Sequence, residues 1–270
     1  MATNFIFFLV KFLLHIYYIS RFFGFDPIIF VKSINGLFFY FRDFYVLKRQ
    51  KGLDTNFSFG SIYPILNERF SESGIMSGHY FHQDLYVARK IFIKNPMRHL
   101  DIGSRTDGFV AHVAVFRQIE IIDIREQSSK VKNILIRKAD LMQLPSDMIN
   151  AYDSISSLHA IEHFGLGRYG DPIDYNGYLK VIANITKILK KSGHLYCSVP
   201  IGQQRIEFNA HRVFSVKYLL ELFKNDFKLN SFSFVNDEGD FFENVEINDL
   251  EIENNYGCKY GCGILDLTKL

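Results

Sequence analysis

The stretch YDSISSLHAIEHF carries His159, Glu162 and His163, the two residue types best suited to moving a proton near neutral pH. The apolar run 152–158 reads as a strand, so these three follow its far end, while Asp153 opens it. The bland alternative is that Glu162 and His163 open a helix and His159 is a hydrogen-bonded strand-end residue. A second group reads as a ligand cradle. Asp101-Ile102-Gly103 closes an apolar run, followed by Ser104, Arg105 and, four residues past Ser104, Gly108. Glycine lets a backbone turn tightly and approach a ligand. Twenty-two residues after Asp101, Asp123 ends IEIIDI, where a carboxylate can accept from both hydroxyls of a ribose. Asp140, ending NILIRKAD, can accept from an adenine amine, and Leu141 can pack on the ring. The G-x-G-x-x-G spacing for a pyrophosphate is absent, which makes a nicotinamide dinucleotide a minor option.

Strands and helices must place these groups. Apolar runs at 99–103, 119–124, 133–140, 152–158 and 194–200 read as buried strands, with helices near 83–95, 106–116 and 177–191 between them. Ser215 can cap VKYLLELF, and KLNSFSFV and CGILDLTKL supply the last two strands. Alternating β and α elements call for a parallel sheet with right-handed crossovers, whose strand ends share one crevice. The fold expected is α/β: a Rossmann-like three-layer sandwich on a seven-stranded, mostly parallel sheet.

The strings DIGS, IIDI, ADLMQLP, YDSISSLHAIEHF and GHLYCSVP, in that order, resemble the successive motifs of class I S-adenosylmethionine-dependent methyltransferases. GHYFHQDL, HLDIGSRTDGFVAHVA, GLGRYGDP and YGCGI further resemble the domain-of-unknown-function family 268, over roughly residues 70–270. The resemblance implies a sheet of methyltransferase type and S-adenosyl-L-methionine as cofactor. It implies that Asp101, Gly103, Ser104, Arg105, Gly108, Asp123, Asp140 and Leu141 bind that cofactor, and that His163, Glu162 and His159 serve catalysis. It makes His79, Tyr80 and His82 part of a segment folding over the cofactor or acceptor, the alternative being a solvated helix-entry loop, and it puts Arg168 where an acceptor lies, the alternative being a salt bridge to Asp171 or Asp174. The family's company near surface-polysaccharide genes points to O-methylation of a glycan or glycan precursor. Here Arg105 and Asp107 replace two glycines of the usual turn, so Arg105 either narrows the pocket or meets the methionine carboxylate. A non-catalytic binding or assembly module at a membrane, or a nucleotide-sugar-modifying enzyme, are the alternatives on the same scaffold.

The 270 residues are 48% hydrophobic and 22% charged, an ordinary globular balance. A net charge of +2 gives no general case for nucleic acid as partner. The acceptor expected is a small molecule or glycan. Residues 1–51 hold seven Lys/Arg against two Asp, whereas 236–256 hold eight Asp/Glu and no Lys or Arg, the latter most simply a solvated loop. Residues 1–55 read as a hydrophobic, basic helical extension and 56–270 as the α/β domain. The apolar run 5–20 carries Lys11 and His15 and is short for a membrane span. It suits either peripheral membrane contact through residues 1–51, at the cytoplasmic face, or packing against the domain or a second subunit of a homo-oligomer. Asp26-Pro27 starts a second helix, which Gly36 interrupts. Three cysteines argue for a reducing, cytoplasmic setting. No metal is expected: Cys258 and Cys262 have no diagnostic spacing, nor has a set made of His79, His82 and strand-four acids.

Overall fold

In the computed structural model, residues 14–127 and 130–270 are described. Residues 5–13 of the N-terminal apolar run, Lys11 included, lie outside them. The chain divides into two units, Met1–Ile75 and Met76–Leu270, some twenty residues past the boundary expected at 55/56.

The first unit holds helices α1 (Leu14–Phe22) and α2 (Pro27–Lys51), with an 83° bend between them. Asp26 caps α2 by accepting from the Ile28 and Ile29 amides. Gly36 does not break this helix. A Cβ there would stand 1.9 Å from the Leu66 carbonyl oxygen, so the glycine instead lets the 61–70 segment lie against the helix backbone. Arg69 pairs with Asp43 across the same contact. No residue of α2 is buried. Among the described residues no single helix is long and apolar enough to cross a membrane.

The second unit is built on helix α3 (His79–Lys94), strands β1 (His99–Ile102), β2 (Ile119–Asp123), β3 (Ile134–Lys138) and β4 (Tyr152–Leu158), helix α5 (Gly177–Ile188) and strand β5 (Leu189–Ile201). A π-type turn over Thr106–Val110 leads into the short α4 (Ala111–Ala114). After β5 come a hairpin of β6 (Arg205–Glu207) with β7 (His211–Val213), helix α6 (Val216–Phe223), β8 (Phe227–Val235), β9 (Phe241–Phe242), α7 (Asp249–Glu253) and β10 (Gly261–Lys269). The sheet order is β3-β2-β1-β4-β5-β10-β8-β9, parallel through β5, with β10 antiparallel to both β5 and β8. This is the mostly parallel, methyltransferase-type sheet. It has eight strands rather than seven, because Phe241 and Phe242 pair with the end of β8.

Period-two alternation builds three layers. Leu100, Ile102, Leu195, Cys197 and Val199 pack toward α5 and α6. Ile119, Ile121, Leu158, Tyr196 and Ile264 pack toward α3 and the π-type turn, against Val87, Ile91, Phe109 and Val113. Ser215 caps α6 through the Tyr218 amide. Two element ends differ from expectation. Helix α3 begins at His79, so His79, Tyr80 and His82 ride its first turn instead of a loop before it. Helix α5 stops at Ile188, because Leu189 turns to extended backbone and joins the sheet beside Tyr152.

Strand order reverses at β1. Its neighbours β2 and β4 leave in opposite directions, which opens a crevice at the carboxyl ends of β1 and β4.

Candidate functional site

Two adjoining clefts lie at that edge. The first is a narrow slot with apolar walls that include Ile102, Ile122, Ile124, Leu141 and Phe164, and with Gly103 and Asp123 among its lining. The second, about 1,240 Å³ and open to solvent, is lined by His79, Tyr80, His159, Glu162, His163 and Arg168, together with Tyr169, His211, Asp237 and Tyr260. His163 and Tyr169 line both.

In the slot, Gly103 turns the chain at φ +67°, and a Cβ there would press to 3.2 Å on Ala160. Asp123 ends β2 facing the slot, but Arg125 holds it: the Arg125 amide donates at 2.8 Å, and its guanidinium donates at 3.0 and 2.7 Å. The same guanidinium lies 4.4 Å above the Tyr169 ring, so Arg125 bridges the slot's rim. Neither Arg125 nor Tyr169 was singled out by sequence. Arg125 is only the second residue after a strand-terminal acid, and the sequence gives no sign that it folds back.

Tyr169 is placed by the loop 165–175, and one carboxylate organises that loop. Asp171 accepts from the amides of Gly165, Gly167 and Tyr169 at 2.8–3.2 Å. Gly165 is required: its φ is +79°, and a Cβ would sit 1.9 Å from the Asp174 carbonyl oxygen. Arg168 donates to the Ala210 carbonyl at 2.9 Å and pairs with neither Asp171 nor Asp174.

Several expected cofactor residues stand behind the slot. Asp101 is fully buried and accepts from the Ser104 amide and from the hydroxyls of Ser104 and Ser156, at 2.6–3.0 Å. Burial lifts its carboxyl to a pKa of about 6. Ser104 is likewise buried. Arg105 points to solvent, ion-paired with Asp107 and 5.2 Å over the Tyr80 ring. Gly108 backs onto buried Asp84, whose oxygen would be 2.5 Å from an added Cβ. Asp140 accepts from the Met142 amide at 2.9 Å and holds its own turn, leaving Leu141 to face the slot. His82 stacks on Phe241, away from both clefts.

The wide cleft gathers the proton-moving groups. Glu162 is buried at the end of β4, accepting from His159 Nδ1 at 2.8 Å. His159 adopts φ +50°, and its buried Nε2 has no hydrogen-bond partner. Burial pulls the pKa of His159 down, but Cys262 and Glu162 outweigh it and hold the ring well above its ordinary value. His163 donates through Nδ1 to the Ala210 carbonyl at 2.7 Å, which leaves Nε2 as the basic nitrogen. Its pKa is lowered, chiefly by burial. His79 stacks on His159 with centroids 5.2 Å apart. The acidic run is partly structural: Asp237 accepts from the Lys259 and Tyr260 amides and ties the loop after β8 to the start of β10.

A family model described as "Caenorhabditis protein of unknown function, DUF268" matches residues 107–258. No curated protein matches the chain. Similar solved structures include the [4+2]-cyclase SpnF, 16% identical over 70% of this chain and 80% of that one, with a TM-score of 0.49. The 1,6-didemethyltoxoflavin-N1-methyltransferase of Burkholderia thailandensis, with S-adenosylhomocysteine bound, is 13% identical over 69% and 78%, TM-score 0.48. The N-methyltransferase NodS of Bradyrhizobium japonicum is 11% identical over 71% and 88%, TM-score 0.46.

Proposed function

We propose, from the premise that this chain belongs to the DUF268 family, that it is an S-adenosylmethionine-dependent methyltransferase acting on a hydroxyl of a glycan or glycan precursor. The observation that carries the reading is the pair of joined clefts. An apolar slot with a strand-end carboxylate opens at the sheet's switch point onto a wider, histidine-rich cleft, and His163 stands at the junction.

The slot is mostly apolar with a few polar groups at its edge, the usual lining of a small-ligand site. Its chemistry fits an adenosine: Asp123 would accept from ribose hydroxyls, Leu141 and Ile124 would pack on the base, and the Gly103 turn would allow close backbone approach. Bound S-adenosylmethionine supplies an activated methyl group. The protein's part is to align donor and acceptor, exclude water and take a proton. His163 takes the acceptor's proton on Nε2, oriented by the Ala210 carbonyl on its other face. Tyr169 and Arg125 line the slot's edge, and Arg125 would have to give up Asp123 for the carboxylate to meet a ribose. The polar lining of the wide cleft, with Tyr80, Tyr260, Arg168 and Asp237, suits a hydroxyl-rich acceptor. The aromatic, basic first unit is read as a peripheral anchor to an anionic membrane surface.

One observation favours a second reading, a non-catalytic binding module: Arg125 already satisfies Asp123. Calorimetric titration with S-adenosylmethionine, S-adenosylhomocysteine and NAD separates the two. Micromolar binding of the first two, none of NAD, and loss of about 1–3 kcal/mol in Asp123→Ala support the methyltransferase. Absence of binding to the first two rejects it.

A further inference from the structure

Beside His163, the wide cleft holds a second constellation that the proposed methyl transfer does not use. His79, His159 and Cys262 each offer a donor atom, and these atoms lie within 4.8 Å of one another. They come from three elements: the first turn of α3, the residue after β4 and the second residue of β10. Positions 79, 159 and 262 are too far apart in sequence for any metal-binding spacing to show.

Four features distinguish this set from a chance cluster. His159 Nε2 is buried, has no hydrogen-bond partner and belongs to a residue only 8% exposed. Its other nitrogen donates to Glu162 Oε1, the carboxylate–histidine arrangement that fixes the tautomer of a metal-bound imidazole. Cys262 is fully buried, yet beyond His159 its sulfur has only long contacts, 3.6 Å to Gln83 Oε1 and 4.0 Å to the Gly263 carbonyl. His79 lines the open cleft, so a bound ion would have one face toward solvent or acceptor.

We propose that His79, His159 and Cys262 form a zinc site with three protein ligands and a fourth, open position facing the wide cleft. Imidazole and thiolate both suit Zn²⁺, and three ligands with an open place is the arrangement of sites that bind a reactant. Zn–N and Zn–S bonds of about 2.0–2.1 and 2.3 Å put tetrahedral donor atoms about 3.3–3.6 Å apart. The donor atoms must therefore close by up to about 1 Å, to which a turn of the partly exposed His79 side chain contributes. On binding, the Cys262 thiol and the His159 Nε2 each lose a proton to solvent, and the freed sulfur and nitrogen bond to zinc. Glu162 is then a positioning residue for His159. The inference does not depend on methyl transfer, since zinc affinity is read without cofactor or acceptor.

The test is zinc competition on the purified full-length chain with a chromophoric chelator, and cobalt(II) substitution followed by absorption. One zinc per chain is expected. Cobalt should give a thiolate-to-metal charge-transfer band with intense tetrahedral d–d bands. Cys262→Ala and His159→Ala should lose zinc binding, Glu162→Gln should weaken it about 10–100-fold, and His82→Ala should leave it unchanged. Circular dichroism establishes which variants are folded; if Cys262→Ala is not, Cys262→Ser and loss of the charge-transfer band decide. The site is refuted if the wild-type chain binds no zinc at micromolar free metal. It is also refuted if folded Cys262 and His159 variants bind as the wild type does. Zinc binding without S-adenosylmethionine binding would sink the proposed function and keep the site.

Discussion

Asp101 shows how a residue in a ligand-motif position can owe its place to the fold. Three donors converge on a carboxylate that no solvent reaches, and burial raises its pKa to about 6 from an ordinary 3.8. Asp84 is raised to about 6 as well, also mainly by burial. A raised acid pKa means that between about pH 4 and 6 the folded chain holds protons the unfolded chain has released. Stability therefore falls as pH rises through that window and levels off above it. Asp101→Asn should flatten this slope by up to ~3 kcal/mol, read as urea midpoints from pH 4 to 7. An unchanged slope would mean that Asp101 ionises at its ordinary pKa. His163 is argued from chemistry instead. With Nδ1 committed to Ala210 and its pKa lowered by burial, it is neutral and basic at pH 7. His163→Ala should cut turnover about 10²–10⁴-fold while the Kd of S-adenosylhomocysteine stays put. Equal turnover would remove it as the base.

At the scale of elements, two backbone positions control the clefts. The loop 165–175 keeps Tyr169 over Arg125 only because Gly165 passes under the Asp174 carbonyl. Gly165→Ala should cost at least ~1–3 kcal/mol of stability and loosen the loop, seen as a lower urea midpoint and faster amide exchange at Gly167 and Tyr169. Gly108 is the other. It lies at φ −123°, ψ −106° against Asp84, and Gly108→Ala should disturb the junction of α3 with the β1 turn at similar cost. Wild-type stability in either variant would show that its neighbour yields freely.

At the scale of the whole molecule, the two units have opposite surfaces. The second buries its apolar side chains on both faces of a sheet. The first leaves Phe22, Phe23, Phe38 and Phe41 more than 60% exposed, with Lys48, Arg49 and Lys51 ending α2. Apolar area beside basic residues is the composition that binds anionic membrane surfaces. The full chain should therefore sediment with phosphatidylglycerol vesicles and less so with zwitterionic ones, and deletion of residues 1–23 should weaken this. Equal recovery in the supernatant for both chains would favour packing against protein.

The strand set, its mostly parallel order and the strand-end positions of Gly103, Asp123, Leu141, His159 and His163 were legible in the sequence. Buried parallel strands are apolar runs, and their ends fall on one edge by topology. Local capping was legible too, at Asp26 and Ser215, because a cap and its amides are neighbours in the chain. Distances through space were not. That Arg125 folds back onto Asp123, that Asp171 holds the loop bearing Tyr169, and that Gly36 makes room for Leu66 depend on side-chain direction and on contacts across the chain. Cys262 opens the strand CGILDLTKL with no metal-ligand spacing around it. Only the pairing of β10 with β5 brings it to the end of the sheet where His159 and His79 stand, because register, not sequence spacing, decides which residues of distant elements meet.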